Sequence, residues 1–314
     1  DVTDLVFIDP VGTGYSRAVG KGEDKDYWGE AGDKASIAEF IRIWITQHKR
    51  WNAPKYLIGE SFGTTRAAYL ANELTTGDVD IALNGIVLIS QALDYEGSTS
   101  AHDNMYSYIT YLPSMAATAQ YHGKAGTGVP QADFLAEARA FARDEYGPAL
   151  MKGDRLSPEE RAHVRDRLAY FTGLDPAYIE TSDLRILMHR FQKELLRDKG
   201  VALGRLDGRY LGDEADDAAE GPEDDVSSYA VSSAYSALIN QYLSSDLGVE
   251  MDRPYMVSSA EAGDKWNFRD VPDDEYWEPH YVNAGRKLTT AMRHNTALKV
   301  MVASGYFDLI CPFF

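Results

Sequence analysis

The chain has 314 residues, 44% hydrophobic and 25% charged, the composition of a globular protein able to bury a full core. Acidic residues outnumber basic ones 49 to 31, and the resulting net charge of −18 excludes nucleic acid and anionic membrane as partners at neutral pH. The single cysteine, Cys311, excludes an internal disulfide and a thiolate metal cluster, and no apolar run reaches the roughly 18 residues that a membrane span needs.

Asp1 to Asp9 opens the chain with the continuous apolar run Leu5-Val6-Phe7-Ile8, which predicts a strand buried on both faces, as in a parallel sheet, rather than a signal peptide. It leads into Pro10-Val11-Gly12-Thr13-Gly14-Tyr15-Ser16, a turn of residues that permit unusual backbone angles. Gly12 and Gly14 do not make a dinucleotide fingerprint, because Arg17 stands where the third glycine is needed and no helix pattern begins there. From Asp33 to Lys49 the spacing of Ile37, Phe40, Ile41, Trp44 and Ile45 predicts a helix, with Asp33 as its N-cap.

Lys55 to Leu74 is the most informative stretch. Tyr56-Leu57-Ile58 reads as a short strand, Gly59-Glu60-Ser61-Phe62-Gly63 as a sharp turn, and Ala67, Ala68, Leu70, Ala71 and Leu74 as one helical face. This is a Gly-x-Ser-x-Gly nucleophile elbow between strand and helix. A serine pushed out at the top of a sheet must adopt a strained backbone, and the flanking glycines leave room for it. The helix that starts there aims its free N–H groups and positive dipole end at developing negative charge.

Gly85 to Ser90 predicts the next buried strand and Leu298 to Ser304 a later one. Strand alternating with helix predicts an α/β-hydrolase type of fold, a doubly wound, mostly parallel sheet with its site at the carboxyl ends of the strands. The expected division is a core at residues 1–92, a helical cap insertion at 93–293, and the core continued at 294–314. Within the insertion, helical patterns run over Phe134–Tyr146, Pro158–Phe171, Asp183–Leu196 and Ser227–Leu243. Gly212 to Asp225 carries eight acidic residues in fourteen and reads as a solvated, mobile loop without the ligand pattern of a calcium site.

A serine becomes a nucleophile when a histidine takes its proton, and the histidine needs a carboxylate to orient it. In α/β-hydrolases the order is serine, acid, histidine. Asp308, in the loop after the last strand, suits the acid. All seven histidines, at 48, 102, 122, 163, 189, 280 and 294, precede it, so each reads as an ordinary helix or loop histidine. The expectation is therefore a chain truncated at its C-terminus.

With FIDPVGTGYS at 7–16, LIGESFGT at 57–64 and VMVASGYFDLICP at 300–312 in view, the chain resembles the serine carboxypeptidases, peptidase family S10. YLPSMAATAQYH at 111–122 and GRLDGRY at 204–210 are similar to segments of bacterial members. The glutamine usual between Asp9 and Pro10 in eukaryotic members is missing, and Phe62 stands where tyrosine is common. The family's Asn-Gly-Gly-Pro-Gly loop and Gly-His segment are absent, so truncation is expected at both ends and this piece is expected to be inactive alone.

The resemblance implies a hydrolase that needs no metal or cofactor, is secreted, periplasmic or otherwise in an acidic location, and takes peptide or protein C-termini as substrate. It makes Ser61 the nucleophile, Asp308 the acid and the Phe62 N–H one oxyanion donor. It gives Glu60, protonated against another carboxyl group, the substrate's C-terminal carboxylate to bind, with best activity at acidic pH. Read on its residue type alone, Glu60 is also compatible with bonding only nearby backbone. Cys311 is open to two readings, a small buried hydrophobe or a wall of the pocket for the side chain before the scissile bond. Phe62 and Ile310 are either further wall or plain core. Another α/β-hydrolase, an esterase or acyltransferase, and a catalytically dead binding module are the alternatives.

Overall fold

The computed structural model describes residues 2–78, 80–269, 274–277 and 281–314. In chain order the first elements are α1 (Glu30–Gln47), β1 (Tyr56–Glu60), α2 (Phe62–Thr76) and β2 (Gly85–Ile89). A run of helices follows: α3 (Tyr95–Ser98), α4 (Met105–Tyr121), α5 (Gln131–Phe141), α6 (Gly147–Lys152), α7 (Pro158–Thr172), α8 (Pro176–Thr181) and α9 (Met188–Glu194). The short strands β3 (Ala202–Leu203) and β4 (Leu211–Gly212) pair antiparallel around the 204–210 turn. Helices α10 (Val226–Gln241), α11 (Ala260–Asp264) and α12 (Gly285–His294) precede β5 (Lys299–Ala303).

The chain forms two compact units, residues 1–88 with 233–301, and residues 89–232 with 302–314. Residues 233–293, read from the sequence as part of one insertion, thus group with the first unit.

In the first unit the sheet order is β1-β2-β5. Its strands run parallel: the Asn84 N–H donates to Lys55 O and the Lys299 N–H to Asn84 O where the strands begin, and the Ser90 N–H donates to Ala303 O where β2 and β5 end. The central strand is the buried one, with Ile86 and Leu88 at 1% and 0% exposure. On β1, Tyr56 and Ile58 are 64% and 68% exposed, so the apolar run of an edge strand does not mean burial on both faces.

The strand expected at Leu5–Ile8 is not formed. Among the described residues, 2–8 make no backbone–backbone hydrogen bond, and Leu5 and Phe7 are exposed. A strand needs a neighbour to pair its N–H and C=O groups, which apolar side chains alone do not supply. The turn that follows is formed. Gly12 and Gly14 take positive φ, the Gly14 N–H and C=O pair with Met256, and a Cβ at Gly14 would lie 2.0 Å from the Asp9 carboxylate.

Helix α1 begins four residues earlier than expected, with Gly29 rather than Asp33 as N-cap. Asp33 is not a cap. It lies in the first turn, 3% exposed, and accepts two hydrogen bonds from the Arg66 guanidinium, at 2.7 and 3.0 Å. This fork-to-fork pair ties α1 to α2. Helix α2 is buried along Ala67, Ala68, Leu70, Ala71 and Leu74, as its spacing predicts, and packs on α1, α12 and β1.

The contact of β1 with α2 is backbone on backbone. A Cβ at Gly59 would sit 2.1 Å from the Gly63 carbonyl oxygen and 2.9 Å from the Thr64 nitrogen. Only glycine fits such an approach.

The second unit is a helical body around α4, whose residues from Tyr108 to Ala119 are nearly all buried. That helix escapes an amphipathic search because it is apolar all round. Phe134, Phe141, Tyr146, Phe171 and Phe191 complete the core. The expected helices are present, though Asp183–Leu196 is helical only over α9 and the Phe134–Tyr146 pattern ends in a π turn at Ala142–Tyr146.

The acidic segment is not a free loop. Glu214 receives the Lys193 ammonium at 2.8 Å, with both side chains almost fully buried, and accepts the Glu223 N–H at 2.9 Å. Glu220 pairs with Arg190, and Asp225 accepts the N–H groups of Arg205, Leu206 and Ser227. The basic face of α9 and the 205–206 turn supply the partners that charge counting along the segment cannot show.

Two stability predictions follow from these contacts. Gly59→Ala lowers the unfolding free energy by about 3 kcal/mol, because the new methyl meets main chain that cannot swing aside; urea denaturation measures it, and wild-type stability refutes the close contact. Lys193→Met strands a buried carboxylate and costs about 3–5 kcal/mol, most of which the double variant Lys193→Met/Glu214→Leu recovers in the same assay.

Candidate active site

The elbow stands where strand β1 hands the chain to helix α2. Ser61 occupies the N-cap position at φ 52°, ψ −122°, a conformation an L-residue holds only when the surrounding structure imposes it. A serine at an N-cap ordinarily spends its hydroxyl on the helix. Here the side chain makes no capping bond; instead the Ser61 carbonyl oxygen accepts both the Thr64 N–H at 2.9 Å and the Thr64 hydroxyl at 2.7 Å. The hydroxyl is left for other work, half-buried at the positive end of a 15-residue helix.

Of the two elbow glycines only Gly59 is sterically fixed, since a Cβ at Gly63 meets nothing within 4 Å. The requirement at 63 is its carbonyl, against which Gly59 packs.

Phe62 and Glu60 flank the serine differently. Phe62 is half-buried, its ring edge-to-face with Trp266 at 4.9 Å and Phe268 at 6.4 Å, and the Arg66 guanidinium lies 5.0 Å from its centroid. Its N–H, at the first helical position, has no acceptor within the helix. Glu60 is exposed, and among the described residues it has no ion-pair partner. Trp266 and Phe268 carry no sequence signal of their own, lying about two hundred residues from Phe62.

Asp308, Ile310 and Cys311 belong to the second unit, in the loop after β5. Asp308 is 8% exposed. Its Oδ1 accepts the N–H groups of Ile310 and Cys311, both at 2.8 Å. Burial raises its pKa above the ordinary carboxylate value, opposed by these two hydrogen bonds and by the nearby Ser90 side chain and reinforced by the charge of Asp207. The loop is pinned on both sides: the Leu309 N–H donates to Arg205 O, the Gly208 N–H to Phe307 O, and the Tyr111 hydroxyl lies 2.8 Å from both Ile310 O and Ser98 O. Cys311 is buried and Ile310 half-buried. Sequence reasoning passed over Tyr111, which it met only as the first residue of the 111–122 segment.

The sequence-derived site residues therefore fall into two sets, Glu60, Ser61 and Phe62 in one unit and Asp308, Ile310 and Cys311 in the other. His280 lies outside the described residues. The Nε2 of His122 is 2.8 Å from Gly208 O, and that of His163 is 2.7 Å from Glu145. Among the described residues no histidine is hydrogen-bonded to Ser61 or Asp308, and no three His, Cys, Asp or Glu side chains are grouped to hold a metal ion.

The family model described as serine carboxypeptidase, Peptidase_S10, matches residues 1–132. Serine carboxypeptidase-like 16 from Arabidopsis thaliana is 29% identical over 102 residues, which are 30% of this chain and 23% of that protein. The chain thus spans about a quarter of the length of the curated relative it matches. No solved structure matches the chain. The elbow at Ser61 lies inside residues 1–132, the stretch that is similar to the serine carboxypeptidase family, and the mixed strand and helix architecture around it is that of the α/β-hydrolase class.

Proposed function

We propose that the protein is a serine-type carboxypeptidase that removes C-terminal residues from peptides through an acyl-enzyme on Ser61. The observation that carries this reading is the strained Ser61 at the N-terminus of α2, its hydroxyl unused by the helix, within the stretch similar to serine carboxypeptidases.

In the proposed reaction the Ser61 Oγ attacks the last peptide carbonyl as its proton passes to a histidine base, a role not assigned to any of the seven in this chain. The oxyanion forms against the helix N-terminus, where the Phe62 N–H is one donor worth about 3 kcal/mol in the transition state. The C–N bond breaks, the amine leaves with the proton, and water then cleaves the ester to restore Ser61. Asp308 orients the base and stabilises its cationic form, which requires the aspartate ionised.

Glu60 is the proposed specificity residue. In its protonated form it donates to the substrate's terminal carboxylate, which favours acidic pH; ionised, it repels that group. Phe62, Ile310 and Cys311 are proposed as wall of the pocket for the side chain preceding the scissile bond. A secreted or otherwise acidic location fits this chemistry, and among the described residues no helix is long and apolar enough to cross a membrane.

The test uses protein expressed from the complete gene. A fluorophosphonate labels Ser61, and a blocked dipeptide with a free C-terminus is cleaved in preference to its amide. Glu60→Ala reduces that preference about tenfold, the effect of losing a hydrogen bond to a charged group, whereas Glu60→Gln, whose amide donates at every pH, keeps the preference and flattens its decline toward neutral pH. Turnover of simple esters alone points to an esterase, acyl transfer to another acceptor points to an acyltransferase, and failure to label points to a binding module.

The raised pKa of Asp308 makes a separate prediction. A carboxyl whose folded pKa exceeds its unfolded value favours the fold below about pH 4, and that contribution is lost as pH rises through the folded value. Asp308→Asn removes the loss, so its stability relative to wild type increases from pH 4 toward pH 7. Paired denaturation curves across that range measure it, and a pH-independent difference refutes the shift.

A further inference from the structure

We infer that Thr64 is a positioning residue for the oxyanion donor, its hydroxyl locking the peptide plane between Ser61 and Phe62; this rests on the acyl-enzyme reading above. A trans peptide is planar, with its C=O and N–H pointing in opposite directions. Whatever holds the Ser61 carbonyl oxygen therefore aims the Phe62 N–H. Two groups of one residue hold it, the Thr64 N–H at 2.9 Å and the Thr64 hydroxyl at 2.7 Å. A carbonyl oxygen has two lone pairs, and Thr64 supplies a donor for each.

This peptide is under load. Ser61 sits at φ 52°, ψ −122°, and any relaxation of ψ turns the plane and swings the Phe62 N–H with it. The donor also belongs to the first residue of α2, whose N–H no preceding turn of helix restrains. A single backbone bond leaves the plane able to tilt about it, and the hydroxyl removes that freedom.

Thr64 is itself braced. It is fully buried, and a Cβ at Gly59 would lie 2.9 Å from its nitrogen, so β1 packs directly on the main chain that carries the two donors. The ring of Phe62 is held separately, by the edge of Trp266 and by the Arg66 guanidinium that Asp33 grips.

Threonines deeper in the helices make a different bond. The hydroxyls of Thr46, Thr75 and Thr172 donate to a carbonyl four residues back within the same helix. Thr64 donates three residues back, to the nucleophile's own carbonyl at the N-cap.

Two pairs of proteins that differ in one hydroxyl isolate this role, each expressed from the complete gene. Thr64→Val exchanges the hydroxyl for a methyl. Thr64→Ser and Thr64→Ala both lose the γ-methyl and differ from each other in the hydroxyl alone, so they read the same quantity where Thr64→Val does not fold. Thr64→Val and Thr64→Ala lower kcat on the blocked dipeptide about tenfold with KM unchanged, part of the loss that deleting an oxyanion donor brings. Thr64→Ser keeps the wild-type kcat although its lost methyl lowers the unfolding temperature, a separation of activity from stability that a merely structural role does not give. Equal kcat in Thr64→Ala and Thr64→Ser, with Ser61→Ala inactive, overturns the inference and leaves the acyl-enzyme reading standing. Activity retained in Ser61→Ala overturns both.

Discussion

Everything at the nucleophile depends on one close approach of main chain to main chain. Gly59, at the end of β1, packs directly on the Gly63 carbonyl in the first turn of α2. A strand and a helix joined by a single residue can be this close only if that residue takes up the whole reversal, and Ser61 does so at φ 52°. The strain is held by the buried length of α2 and by the Asp33–Arg66 fork that anchors it to α1. Its consequence is chemical: the serine cannot cap its own helix, so the hydroxyl and the helix's unsatisfied N–H groups stand side by side.

The acid is built differently. Asp308 sits on irregular chain, where no helix or sheet fixes a side chain, and its position is set by hydrogen bonds instead: two backbone donors within its own loop and the Tyr111 contact to Ile310 O. The helical unit thus contributes more than bulk. Its central helix α4 carries Tyr111, and the 205–208 turn grips the chain on both sides of Asp308. The buried Lys193–Glu214 pair and the Asp225 carboxylate in turn hold that turn and the acidic segment after it.

Where sequence reasoning erred, it counted properties along the chain that are decided by partners. The run Leu5–Ile8 is apolar enough for a strand, but pairing is a property of two segments, and among the described residues it makes no backbone hydrogen bond to another. Asp33 has the chemistry of a cap, yet Arg66 thirty-three residues on is a stronger partner than a free N–H. Helix α4 was hidden by its own burial, since a helix covered on all sides has no polar face to set a period. The acidic segment looked solvated because its cations lie on α9.

The sequence by itself determined the strand–serine–helix elbow and the alternation of strands with helices. It also determined the resemblance to serine carboxypeptidases, matched over residues 1–132. These are local patterns, fixed by steric limits on a few successive residues and by hydrophobic period. Only the tertiary structure decided that Gly59 and not Gly63 is the immovable glycine, that Trp266 and Phe268 stand against Phe62, and that the Tyr111 hydroxyl reaches Ile310 O. Each of those joins residues distant in sequence or depends on which atoms meet in space, and neither composition nor spacing along a chain specifies a distance across it.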